Sequence, residues 1–179
     1  MNIERGHLYL TGYRGSGKTS VGKLLGTKLR RTVIDLDDCI EAEAGMSIRE
    51  IFDREGEVGF RDRETNALKA IAHKSPSVIS LGGGAILREE NRKLIATTGQ
   101  CVWLKVDADT VAKRLKRDSS TASRRPSLTS LPPREEIEAL LAAREPLYQM
   151  ASNLCVNAIG RPQRTIANEI LKALAAAPT

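Results

Sequence analysis

Cysteine is scarce, and what there is does not cluster. Cys39, Cys101 and Cys155 are odd in number, far apart and outside any Cys-x-x-Cys or Cys-x-x-His spacing. That excludes a disulfide framework and a zinc site of the usual spacing. It points instead to a reducing compartment where each thiol serves as a small buried apolar residue. Long hydrophobic runs are also missing. No apolar stretch approaches the roughly 18–20 residues needed to span a bilayer. The segment from Met1 to Leu10 carries Glu4 and Arg5 and no signal-peptide core. Secretion and membrane insertion are excluded on these grounds, and a cytoplasmic protein is expected. The chain shows no internal repeat, no helix-turn-helix motif and no aromatic platform for nucleic acid.

What is present suits a soluble globule. The 179 residues are 41% hydrophobic and 28% charged, which fits one domain over residues 1–179 that needs no covalent staple. Lys and Arg number 28 against 22 Asp and Glu, for a formal charge of +6. That excess sits in one place. Between Val111 and Arg134 there are seven basic residues (Lys113, Arg114, Lys116, Arg117, Arg124, Arg125 and Arg134) and one acid, Asp118. The same segment contains the Ser-, Thr-, Arg- and Pro-rich stretch Ser119 to Pro133. A long cationic loop inside a compact domain reads either as a lid over a polyanion or as a solvated surface.

Short apolar runs alternate with helical periodicity. Strands are expected at His7–Thr11, Thr32–Ile34, Val78–Leu81, Cys101–Val106 and Leu154–Val156. Helices are expected near 18–29, 39–44, 47 onward through a Ser47–Glu50 capping box, 60–73, 89–97, 109–117, 134–150 and after Pro162. Pro146 is expected to bend or weaken the end of its helix. Uniformly apolar strands between helices imply an α/β fold with a parallel sheet covered on both faces.

The strongest local signal is Gly12-Tyr13-Arg14-Gly15-Ser16-Gly17-Lys18-Thr19, which fits G-x-x-x-x-G-K-[ST] at every fixed position. Glycines let successive backbone N–H groups curl around phosphate oxygens at a helix N-terminus. Lys18 can reach the β- and γ-phosphates, and the Thr19 hydroxyl can ligate Mg²⁺. This identifies a nucleoside triphosphate site without choosing among GTPases, ATPases and small-molecule kinases. Asp35 and Asp37 follow at the C-terminal end of the second strand, where open α/β sheets place ligands. They could hold Mg²⁺ and orient an attacking hydroxyl, or Asp37 or Asp38 could simply cap the next helix.

Taken together, these motifs resemble those of the shikimate kinase family. The resemblance rests on the P-loop, Asp35-x-Asp37, Gly59-Phe60-Arg61-Asp62-Arg63-Glu64, Ser80-Leu81-Gly82-Gly83-Gly84, Arg125-Pro126, Arg144 and Pro146-Leu147-Tyr148, in the family's order over most of the chain. It implies a P-loop three-layer sandwich of the nucleoside-monophosphate-kinase type, with a five-stranded parallel sheet, an acceptor-binding region at about 37–64 and a lid at about 116–133. The implied reaction moves the γ-phosphoryl of ATP to the 3-hydroxyl of shikimate, in aromatic amino acid biosynthesis. ATP would be held by Gly12, Arg14, Gly15, Ser16, Gly17, Lys18, Thr19 and Ser20, with Arg114 and the Arg161-Pro162 turn against the adenine. Mg²⁺ would sit on Thr19 and Asp35. Shikimate would be held by Asp37, Arg61, Gly82, Gly83, Gly84 and Arg144, and Lys18, Asp37 and Arg125 would carry the chemistry. In the lid, Ser127-Leu128 departs from the family's Leu-Leu after Arg-Pro and the preceding loop is longer, which leaves Arg124 as an alternative to Arg125. A kinase for another small polyol acid or a nucleoside monophosphate is the competing enzyme. A nucleotide-sensing or nucleic-acid-binding module is the competing non-enzyme, although no nucleic-acid or membrane partner is expected. A monomer is the expected state.

Overall fold

The computed structural model describes residues 6–117 and 131–176. Its centre is β1 (His7–Thr11), every residue of which is buried. Four further strands, β2 (Val33–Asp35), β3 (Val78–Ser80), β4 (Gly99–Lys105) and β5 (Leu154–Asn157), complete one sheet in the order β2-β3-β1-β4-β5. Every pairing is parallel, with Leu10 opposite Ser80 on one side of β1 and Val102 on the other. Around the sheet lie α1 (Lys18–Leu29), α2 (Leu36–Ala44), α3 (Ile48–Ala72), α4 (Glu89–Thr98), α5 (Ala108–Arg117), α6 (Pro133–Ala151) and α7 (Gln163–Ala176).

Strand side chains alternate between faces, and the core divides accordingly. Leu8, Leu10, Val78, Val102 and Leu104 point to a cluster with Val21 and Leu25 of α1, Val111 of α5 and Ile166 and Ile170 of α7. Tyr9, Ile79, Cys101 and Trp103 point the other way, to Ile40 of α2, Ile51, Phe60 and Leu68 of α3, and Ile95 of α4. The result is the expected three-layer α/β sandwich with five parallel strands. No helix among the described residues is long and apolar enough to cross a membrane.

Two local expectations need correction. The second helix begins at Leu36 rather than Cys39, because the Asp35 side chain accepts the Asp37 backbone N–H at 3.1 Å and caps the helix earlier. The two helices expected on either side of Gly56 and Gly59 both form, separated where Gly56 leaves helical φ/ψ, and are numbered together as α3. The thiols are not uniformly buried: Cys101 is, Cys39 is half-buried and Cys155 is exposed. Burial pushes the Cys101 thiol up to about 12, so it stays protonated and inert. The Ser47–Glu50 capping box forms as expected. Pro133 occupies the first turn of α6, and that helix runs through Pro146 to Ala151. Arg144 and Tyr148 on either side of Pro146 both bond the Gly83 carbonyl, which anchors the helix across the missing N–H.

Candidate active site

The C-terminal ends of β1, β2 and β3 open into a cavity of about 530 Å³. The first wall is the loop between β1 and α1. Gly12 has φ 140°, and a Cβ there would meet the Leu104 carbonyl oxygen at 2.7 Å, so only glycine lets the chain leave the strand this way. Lys18 folds back over its own loop and donates to the carbonyls of Gly12 at 2.8 Å and Tyr13 at 3.0 Å. Arg14, Gly15, Gly17, Lys18, Thr19 and Ser20 line the cavity, while Ser16 is fully buried behind it. Arg114 of α5 donates to the carbonyls of Gly15 and Ser16, both at 3.0 Å, and to that of Ala158. Its partners carry no negative charge, and burial holds its pKa below the ordinary arginine range.

The second wall is acidic. Asp35 and Asp37 both line the cavity. Thr19 Oγ1 donates to Asp35 Oδ2 at 3.0 Å, which joins the P-loop hydroxyl to the end of β2. Burial, then the neighbouring charge of Asp37, pushes the Asp35 carboxyl above its ordinary pKa. A hydroxyl and a carboxylate in contact, with a second carboxylate adjacent, form an oxygen donor set that suits Mg²⁺. That ion is usually held by one or two carboxylates, substrate phosphates and water. Among the described residues no cluster of three or more His, Cys, Asp and Glu forms a protein-only metal cage.

The raised Asp35 pKa carries a stability consequence. A carboxyl whose folded pKa exceeds its unfolded value favours the fold while protonated, and that contribution is lost as pH rises through the folded pKa. Asp35→Asn keeps a capping oxygen and removes the ionised charge. Without metal or nucleotide, it is expected to melt above the parent at pH 7–8, and the gap should close as pH falls to about 4. Thermal melts across that range in the presence of a chelator check this. A gap absent at neutral pH, or widening in acid, contradicts the electrostatic origin.

The third wall is the turn Gly82–Gly84, whose first two residues line the cavity. A Cβ on Gly83 would lie 3.4 Å from the Gly12 carbonyl oxygen and 3.5 Å from the Arg14 nitrogen, so this turn packs on the P-loop. Arg144, 7% exposed, reaches the Gly83 carbonyl at 3.4 Å, and Tyr148 Oη donates to the same oxygen at 2.6 Å. Trp103 stacks on Tyr148 with ring centroids 5.8 Å apart, as part of the core. Arg61 is 5% exposed and lies face-on to Gly84, where a Cβ would meet Nη1, Nη2 and Cζ at 2.5, 2.5 and 2.6 Å. It donates to Glu64 at 2.8 Å and to Glu57 at 3.0 Å, over the Phe60 ring. Burial opposes its charge, but Glu64 and Glu57 outweigh that and hold the guanidinium above its ordinary pKa.

The expected residues therefore gather unevenly. The P-loop, Asp35, Asp37, Gly82, Gly83 and Arg114 share one cavity, and Arg61 and Arg144 stand behind its glycine turn. Arg161 is engaged with the Asn157 carbonyl and with Glu169, and neither it nor Pro162 lines the cavity; the next residue, Gln163, does. Arg124, Arg125 and Ser127 lie outside the described residues. Sequence reasoning missed Asp38, Arg117 and Gln163 on the cavity wall and Glu64 behind it. Glu64 had a signal, since it lies three residues from Arg61 on one helix face; so did Arg117, three residues beyond Arg114.

A parallel sheet with a phosphate cradle after its central strand, an acidic pair where the next strand passes into its helix and two buried arginines behind a glycine turn defines a P-loop small-molecule kinase. A profile described as shikimate kinase matches residues 14–175. A shikimate kinase of Rhodopirellula baltica is 50% identical over 93% of this chain and 89% of its own. The structure of shikimate kinase from Acinetobacter baumannii in complex with shikimate superposes with a TM-score of 0.89 at 34% identity, covering 96% of this chain and 93% of that one. Shikimate kinase from Bacteroides thetaiotaomicron gives 0.85 at 32% identity, covering 95% and 98%. The chain belongs to the shikimate kinase family.

Proposed function

We propose that this site transfers the γ-phosphoryl group of ATP to the 3-hydroxyl of shikimate, releasing ADP and shikimate 3-phosphate. One observation carries the reading. Two buried guanidinium groups, Arg61 and Arg144, contact one glycine turn that packs on the P-loop, and that turn lines the same cavity as Asp37. A compact acid with ring hydroxyls suits such a site, with its carboxylate at the arginines and a hydroxyl at the aspartate. Arg61 spends three of its five N–H donors on Glu57 and Glu64, which leaves two for an incoming carboxylate.

The P-loop amides and Lys18 bind the β- and γ-phosphates, and Lys18 exchanges its present carbonyl partners for phosphate oxygens as it does so. Thr19 and Asp35 would hold Mg²⁺, which would supply charge neutralisation for the transferring phosphoryl group. Asp37 orients the acceptor hydroxyl in line with the γ-phosphorus and takes its proton. The hydroxyl oxygen forms the new bond to phosphorus, and the bond to the β,γ-bridging oxygen breaks with its electrons leaving on ADP. Arg114, on the wall of the same cavity, would contact the nucleotide, and a lid arginine, Arg125, would neutralise charge as transfer proceeds.

ADP release measured with ATP alone and with shikimate, gluconate or a nucleoside monophosphate tests the reading. Turnover with shikimate alone is the expected result, and turnover with another acceptor but not shikimate overturns it. Arg61→Lys keeps the charge and loses the planar fork. It should raise the shikimate KM about tenfold or more while the ATP KM stays within about twofold; an unchanged shikimate KM refutes the carboxylate contact.

A further inference from the structure

Two contacts in α3 are incompatible with a straight helix. Residues eight apart in an unbroken helix lie about 12 Å apart along its axis. Yet the rings of Phe52 and Phe60 sit 4.8 Å apart between centroids. Glu55 and Arg63, with the same spacing, form a two-pronged pair: Arg63 Nε donates to Oε2 and Nη2 to Oε1, both at 2.8 Å. Both contacts cross the kink at Gly56, whose φ of 68° and ψ of −173° fold the two halves of the helix toward each other. Gly59 completes the device. A Cβ there would meet the Glu55 Cβ at 2.5 Å, so its missing side chain makes room for Glu55.

The kink separates the two parts of the acceptor site. On one arm, Asp37 lies in the first turn of α2, and Glu41 of that helix accepts the Ile48 N–H at 2.9 Å, tying α2 to the start of α3. On the other arm stand Arg61 and Glu64. The two arms meet through an inner apolar contact, Phe52 on Phe60, and an outer ionic one, Glu55 on Arg63. We propose that Arg63 is a positioning residue: its fork onto Glu55 holds the kink at the angle that sets Asp37 at the right distance from Arg61. The proposal rests on the shikimate reading. It assigns Arg63 no contact with substrate.

An ion pair with side chains 32% and 30% exposed adds little to overall stability, so its variants should fold. Arg63→Ala is expected to lower kcat/KM for shikimate about tenfold while the ATP KM stays within about twofold. The reversed pair, Glu55→Arg with Arg63→Glu, should recover most of that loss, whereas either reversal alone should not. A bystander residue would not show this pattern. An unchanged kcat/KM for shikimate in Arg63→Ala, equal losses for both substrates, or a reversed pair as impaired as its single variants each overturns the proposal. If the parent protein turns over shikimate normally and Arg63→Ala matches it, the positioning role alone falls. If the parent has no shikimate turnover, the function and the positioning role fall together.

Discussion

Asp37→Asn is expected to lower kcat by roughly two to four orders of magnitude while leaving ATP affinity unchanged. Asparagine has the same shape and suits the first turn of α2, so the helix survives. What disappears is the ability to take a proton from the attacking hydroxyl. Asp35 cannot substitute, because its two oxygens are already committed to Thr19 and to the Asp37 backbone N–H. Removing the Asp37 charge also eases ionisation of Asp35, since that charge is one cause of its raised pKa. Metal and nucleotide binding should therefore not suffer. Steady-state turnover together with an ATP titration separates the two effects. A variant that keeps most of its turnover would show that Asp37 is not the proton acceptor.

Gly84→Ala is expected to raise the shikimate KM by about ten- to a hundredfold with little change in the ATP KM. One methyl suffices because the added Cβ would fall 2.5–2.6 Å from three atoms of the Arg61 guanidinium. That group has no easy retreat, being held by Glu57 and Glu64 and stacked on Phe60. Displacing it leaves Glu64, a fully buried carboxylate, with a weakened partner, so a lower melting temperature should accompany the change. Michaelis parameters for each substrate in turn provide the test. A shikimate KM within about twofold of the parent would show that Arg61 does not grip the acceptor.

The parts of the fold and site that depend on local chemistry were legible in the sequence. The P-loop needs glycine, lysine and threonine at fixed spacing, and the capping box needs Ser47 and Glu50 three apart, so both could be read without tertiary information. The alternation of Leu8, Tyr9 and Leu10 between two cores follows from strand geometry alone. Legibility ended where distant segments meet. Ser80 to Gly84 suggested a glycine turn, but nothing in its sequence says that Arg61 lies on one of its glycines and Arg144 on the carbonyl of another. The pairing of Arg61 with buried Glu64 was foreseeable only as a surface ion pair, because burial depends on how α3 packs. Gly56 and Gly59 read as breaks between helices. Gly56 is such a break; that it folds the two halves together so that residues eight apart touch depends on the Phe52–Phe60 and Glu55–Arg63 contacts.

The most direct measurement is a crystal structure of the protein with shikimate bound. The acceptor carboxylate should lie between the Arg61 and Arg144 guanidinium groups, with the 3-hydroxyl hydrogen-bonded to Asp37 and facing the mouth of the P-loop. Density for the ring elsewhere, or with its carboxylate turned away from both arginines, would contradict the proposed site.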